Sequence, residues 1–152
     1  MSAEPGERIP KDVLFVGPEG PVRLDDVIGK RAVVLYFYPQ DETPGCTAEA
    51  CSFRDRHDEF VSAGAEVIGV SQDSQESHAK FREHHGLPFT LLSDPSGQAA
   101  RAFDVKKTLG LWPGRVTFVI DKEGVIRHRF DSALRAKKHV TEALELVKRL
   151  AA

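Results

Sequence analysis

Two cysteines, Cys46 and Cys51, are the only thiols in the chain, and the first stands at the end of the segment Thr43-Pro44-Gly45-Cys46. A thiol attacks as its thiolate, and an ordinary cysteine, with a pKa near 8.5, is only a few per cent ionised at neutral pH. Something must stabilise the anion. The segment offers a means: Thr43 reads as a helix N-cap and Pro44 as the first helical residue, which places Cys46 in the first turn, among unpaired backbone N–H groups and the positive end of the helix dipole. Nucleophilic thiol chemistry is therefore the first expectation.

The elements that must hold this turn follow from the flanking pattern. Val33 to Tyr38 is a continuous apolar, β-branched and aromatic run, expected of a strand covered on both faces in a parallel sheet. Cys46 then sits just beyond the carboxyl end of a central strand, where open α/β sheets bind ligands. The helix it opens is expected to run from Thr43 to Gly64. Val67 to Val70 reads as a second buried strand, followed by a helix from Ser74 to His85 capped by Asp73 and stopped by Gly86 and Pro88. Thr90 to Leu92 is a short strand, and Asp94-Pro95 opens a helix to Phe103. Val13 to Val16 and Val22 to Leu24 flank Gly17-Pro-Glu-Gly20 as an N-terminal β-hairpin, and Val116 to Ile120 and Val125 to Phe130 flank the turn Asp121-Lys-Glu-Gly124. A closing helix aligns Val140, Ala143, Leu144, Val147 and Leu150. This order predicts an α/β fold with a mixed central β-sheet flanked by helices, and a thioredoxin-like arrangement fits it.

Composition narrows the function classes. The chain has 152 residues, with no internal repeat and no Gly/Ser or Pro linker, so 1–152 is expected to form one domain. Its 21 basic and 23 acidic residues leave a formal charge of -2, interleaved along the sequence. No basic face recruits nucleic acid or an anionic membrane. The longest uncharged apolar run, Ala32 to Tyr38, is far short of a membrane span, and MSAEPGERIP lacks a signal peptide's apolar segment, so a cytoplasmic protein is expected. Two cysteines are too few for a disulfide scaffold, and a pairing between them would be chemistry.

The residues Pro39-Gln-Asp-Glu-Thr43-Pro-Gly-Cys46 match the Pro-x-x-x-Thr-x-x-Cys signature of the peroxiredoxins at every fixed position. Gly64-Ala-Glu-Val-Ile-Gly-Val-Ser71, Leu91-Leu-Ser-Asp94 and Arg115-Val-Thr-Phe-Val-Ile-Asp121 resemble the Q-type, bacterioferritin-comigratory-protein branch of that family, as does a second cysteine five residues after the first. The segment Ile9-Pro-Lys-Asp-Val-Leu14 departs from the usual Ala-Pro-Asp-Phe pattern. The resemblance implies a thiol peroxidase that reduces hydrogen peroxide and small organic hydroperoxides. Cys46 would attack the peroxide and become a sulfenic acid, Cys51 would resolve it as an intramolecular disulfide, and a thioredoxin- or glutaredoxin-type protein would reduce that disulfide. It further implies that Arg115 holds the thiolate and stabilises the attacked peroxide, that Thr43 hydrogen-bonds the reacting atoms, that Pro39 shields the pocket, that Glu49 orients Arg115, that no cofactor is needed, and that the protein is a monomer.

Two rivals remain at this point. A disulfide oxidoreductase on the same fold would carry Cys-x-x-Cys, whereas four residues separate these cysteines. A redox-sensing interaction module would be oxidised without turning over peroxide. The six histidines, His84-His85 among them, do not combine with the cysteines at zinc-site spacings, so no metal site is expected. His57 reads as packing, and Trp112-Pro113-Gly114 as a loop that could line the pocket mouth. Finally, five residues of regular helix leave Cys46 and Cys51 about 140° apart around the axis and about 8.7 Å apart at Cα, beyond the roughly 7 Å that a disulfide spans. If both are helical when reduced, the bond requires the first turns to unwind.

Overall fold

The computed structural model describes residues 3–108, 112–133 and 135–151, without the side chains of Thr108, Trp112 and Pro113. Seven strands form one mixed sheet in the order Gly20–Arg23, Leu14–Gly17, Thr90–Ser93, Ala65–Ser71, Ala32–Phe37, Val116–Ile120, Ile126–Asp131. Its interior is β3 (Ala32–Phe37), parallel to β4 (Ala65–Ser71) and antiparallel to β8 (Val116–Ile120). β4 in turn pairs in parallel with β5 (Thr90–Ser93). The two expected hairpins close the ends: β1 (Leu14–Gly17) with β2 (Gly20–Arg23), and β8 with β9 (Ile126–Asp131). The departing segment at Ile9 does not disturb the first hairpin, because Ile9 and Val13 are buried in the core below it.

The uninterrupted apolar run in β3 is explained by helices on both faces. Val33, Leu35 and Phe37 point into one cluster with Phe15, Phe103 and Phe118, beside the short helices α1 (Leu24–Val27) and α5 (Gln98–Ala102). Val34, Tyr36 and Tyr38 point the other way, toward α2 (Pro44–Asp55), α3 (His57–Ser62), α4 (Gln75–His85) and α6 (Ala136–Ala151). Period-two alternation thus builds two cores from one strand. Cys46, Ala50 and Phe53 belong to the second, where Phe53 stacks on Tyr36 with ring centroids 4.6 Å apart.

Several boundaries differ from those the sequence predicts. The helix expected from Thr43 to Gly64 is two helices, broken at Arg56 (φ -109°, ψ 10°). Ser74, not Asp73, caps α4 by accepting from the Ser77 N–H; the Asp73 carboxylate is engaged instead by the Asp41 N–H and the Ser71 hydroxyl. The helix expected from Asp94 begins only at Gln98, with the Asp94 carboxylate reaching forward to the N–H groups of Ala99 and Ala100. Leu150 is only half-buried, whereas His139 joins the inner face of α6. Beyond the sequence expectation, a small pair β6 (Lys107–Thr108) and β7 (Trp112–Pro113) precedes β8. The expected contribution of Trp112 to a pocket mouth falls on a side chain outside the described ones.

Candidate active site

Cys46 lies in the first turn of α2, as its sequence position predicts, and is buried at 1% exposure. The turn is an incomplete one. Pro44 has no N–H, and Thr43 makes no side-chain cap bond, which leaves the N–H groups of Gly45 and Cys46 without intrahelical acceptors. This corrects the expected capping role of Thr43. Its hydroxyl donates to the Gln40 carbonyl at 2.8 Å, so toward any further partner its oxygen can only accept.

Arg115, immediately before β8, spans the site with its whole guanidinium. Nη2 donates to the Cys46 Sγ at 3.3 Å, Nη1 to Glu49 Oε1 at 2.6 Å, and Nε to the Ala133 carbonyl at 3.2 Å. Burial works against its charge, but Glu49 and Cys46 outweigh that and hold its pKa above the ordinary guanidinium value. Gly45 makes the approach possible: a Cβ there would stand 2.9 Å from Nη2.

Glu49, one turn after Cys46, is fully buried, and burial pushes its carboxyl up to about 8 although Arg115 opposes the shift. Its second oxygen, Oε2, has no hydrogen-bond partner among the described residues and lies 3.7 Å from His139 Nδ1. His139 Nε2 faces the Ser132 carbonyl at 2.8 Å and so carries the ring proton, leaving Nδ1 to accept from the Thr117 hydroxyl at 2.7 Å. Burial lowers this imidazole to about 4, so it is neutral near pH 7.

The loop from Pro39 to Thr43 is pinned by Tyr38 and by α4. Tyr38 donates to Asp41 Oδ1 at 2.6 Å, while Ser77 and His78 of α4 meet Asp41 Oδ2 at 2.8 and 2.7 Å. His78 Nε2 reaches the Leu92 carbonyl at 3.1 Å. Pro39 begins the loop, half-buried directly after Tyr38. Cys51 lies five residues on in α2, half-buried, and both cysteines are free thiols.

Of the residues singled out in the sequence, Cys46, Arg115 and Glu49 therefore meet, Thr43 and Pro39 shape the loop before them, and Cys51 stands apart. Gly45, Asp41, His78, Thr117 and His139 were missed. Gly45 carried a signal, since a glycine in a first helical turn marks a close approach. So did His139, which shares the inward stripe of Ala143 and Val147. Asp41 and His78 carried none, being 37 residues apart.

A thioredoxin-like mixed sheet with an arginine-bound cysteine in the first turn after a central strand defines a thiol peroxidase. The chain belongs to the AhpC/TSA family, whose model matches residues 5–129. It is similar to peroxiredoxin Bcp of Bacillus subtilis (strain 168), 48% identical over 97% of each chain. Its fold matches the crystal structure of peroxidoxin BcpB from Mycobacterium tuberculosis, with a TM-score of 0.88, 35% identity and 97% of both chains covered. It also matches the Xanthomonas campestris bacterioferritin comigratory protein, described for its alkyl peroxide reduction, with a TM-score of 0.85, 31% identity, and 98% of this chain and 100% of that one covered. The peroxiredoxin resemblance and the peroxidase class thus hold, over the oxidoreductase and sensor alternatives. No helix among the described residues is long and apolar enough to cross a membrane.

Proposed function

We propose that Cys46 is the peroxidatic residue, and the observation that carries this is its Sγ lying 3.3 Å from the Arg115 guanidinium inside a buried first turn. Hydrogen peroxide or a small organic hydroperoxide places one oxygen against Sγ. The peroxide O–H donates to Thr43 Oγ1, whose own proton is committed to Gln40. The free N–H groups of Gly45 and Cys46 and the Arg115 fork face the oxygen on which charge develops, the arrangement that stabilises a transition state most. The thiolate electron pair forms the S–O bond as the O–O bond breaks. Water or an alcohol leaves once its oxygen takes a proton, and Cys46 is left as a sulfenic acid.

Glu49 supplies charge balance. A thiolate and a carboxylate facing one buried guanidinium leave a net negative charge, which burial penalises. A proton on Glu49 removes the excess and directs the Arg115 charge to sulfur, in keeping with its raised pKa. Pro39 covers the loop start and contributes no N–H that would draw in water.

Cys51 then attacks the sulfenic sulfur, hydroxide leaves with a proton as water, and a Cys46–Cys51 disulfide results. Both residues lie in one regular helix, Pro44–Asp55, at a Cα separation of about 8.7 Å by helix geometry, so the first turns of α2 unwind before the bond forms. The exposed disulfide is reduced by exchange with a thioredoxin-type dithiol protein. We read residues 1–152 as one domain, acting as a monomer in the cytoplasm. Peroxide consumption measured side by side with thioredoxin and with glutaredoxin tests the reading: turnover with thioredoxin is expected, and oxidation that stops after one equivalent with both donors would overturn it.

A further inference from the structure

The loop that presents Cys46 has a second attachment to α4, at the surface. Glu42, next to Thr43, is one of three non-glycine residues with a left-handed backbone (φ 63°) among the described ones. Its carboxylate meets His84 Nδ1 at 3.2 and 3.1 Å through its two oxygens, and His85 Nε2 at 3.0 Å through Oε1. All three ligand-bearing atoms lie within 4.8 Å of one another. The sequence pattern gave His84 and His85 no metal role because they were weighed against the cysteines; the third donor comes from a loop 42 residues away.

We propose that Glu42, His84 and His85 form a binding site for a divalent transition-metal ion of the zinc class, fastening the Cys46 loop to the end of α4. Three features support it. The donor set of two imidazoles and one carboxylate suits zinc-like ions rather than magnesium or calcium, which prefer all-oxygen shells. The spacing is close to that of a coordination shell: metal bonds of about 2.0 to 2.1 Å in a tetrahedron put ligand atoms about 3.3 Å apart, and each histidine–glutamate distance is within about 0.3 Å of that. Both histidines also stand in the last turn of α4, Gln75–His85, where the negative end of the helix dipole favours a cation, and the Arg54 guanidinium already donates to the His85 carbonyl at 2.7 Å. His84 is largely exposed and leaves a fourth position open to water.

A consequence rests on the proposed catalytic cycle. An ion held there ties the residue preceding Thr43 to α4 and favours the wound form of α2. By linkage, disulfide formation then weakens ion binding by the same factor.

Zinc titration by calorimetry tests the site in the full-length Cys46→Ser/Cys51→Ser protein, in which no thiol competes for the metal. One ion per chain is expected, and adding Glu42→Gln or His84→Ala should each weaken binding about tenfold or more, while His57→Ala in the same background leaves it unchanged. Circular dichroism and metal-free melting establish that each variant is folded. Absence of binding, or affinity indifferent to both Glu42→Gln and His84→Ala, overturns the site. The linkage has its own arm: zinc should bind the disulfide form of the unsubstituted protein more weakly than the Ser/Ser protein. Equal affinity overturns the coupling and leaves the site and the peroxidase reading standing.

Discussion

At the scale of single residues, the chemistry of the site turns on a guanidinium with every edge assigned. Arg115→Lys keeps the charge but supplies one donor point where the fork makes three contacts, so it should slow the peroxide step about tenfold or more without unfolding the protein; stopped-flow oxidation measures it, and an unchanged rate constant would mean that the fork does no catalysis. Gly45→Ala tests the same contact without touching Arg115. The added Cβ would meet Nη2 at 2.9 Å, so it should lower the same rate constant while thermal stability changes little. A rate equal to the parent's would show that the guanidinium can retreat at no cost. How legible these residues were depended on chain distance. Pro39, Thr43 and Cys46 fall within eight positions, and helix-start chemistry alone points to the thiol. Arg115 lies 69 residues from Cys46, so nothing local assigns it, and only the resemblance of Arg115-Val-Thr-Phe did so. Thr43 shows the limit even of local reading: the cap position is right, but its side chain makes no cap bond, and its hydroxyl proton goes to the Gln40 carbonyl.

At the scale of elements, the proposed cycle makes α2 the moving part. Its separation from α3 at Arg56 makes it a unit of 12 residues rather than half of a longer helix. Unwinding its start then need not disturb Phe60, which holds α3 to the core. Phe53 marks the other end of the movable stretch, since its ring lies on Tyr36 and beside Phe60 and Phe89. Hydrogen exchange should therefore show amides 46 to 53 protected in the reduced protein and markedly faster in the disulfide form, with protection in β3 and α6 unchanged. Equal protection in both forms, with the disulfide verified by mass, would mean that the bond forms without unwinding. The break itself was hidden in the sequence because Arg56-His57 carries neither proline nor glycine. Strands were read more closely, since β3, β4 and β8 are apolar runs whose period leaves no alternative to burial on both faces.

At the scale of the whole molecule, the candidate site is built into the core where the first turns of α2 meet the start of β8 and the inner face of α6, and pH acts on site and core together. His139 is buried neutral with a pKa near 4, against about 6.5 when unfolded. Between those values the unfolded chain binds the extra proton, so stability falls as pH drops from 6.5 toward 4, by about 3 kcal/mol at the limit. Glu49, raised to about 8, acts in the opposite sense: its folded form binds the proton more readily, and its contribution is lost as pH rises toward 8. His139→Gln retains an acceptor for Thr117 and a donor for Ser132, so it should flatten the acid side of a stability-against-pH curve from denaturant unfolding and leave the alkaline side sloped. An unaltered acid limb would place the acid-sensitive group elsewhere. The proposed catalytic cycle likewise draws on residues far apart in the chain, since it would use the arginine, both cysteines and a helix free to unwind. Its most direct test is a single turnover: reduced protein mixed with one equivalent of hydrogen peroxide, quenched with a thiol-blocking reagent and mapped by mass spectrometry. The expected products are a Cys46–Cys51 disulfide in the parent protein and one added oxygen on Cys46 in Cys51→Ser, with no fast oxidation in Cys46→Ser. Oxygen appearing first on Cys51, or a Cys46→Ser protein that consumes peroxide as fast as the parent, would contradict the proposed cycle.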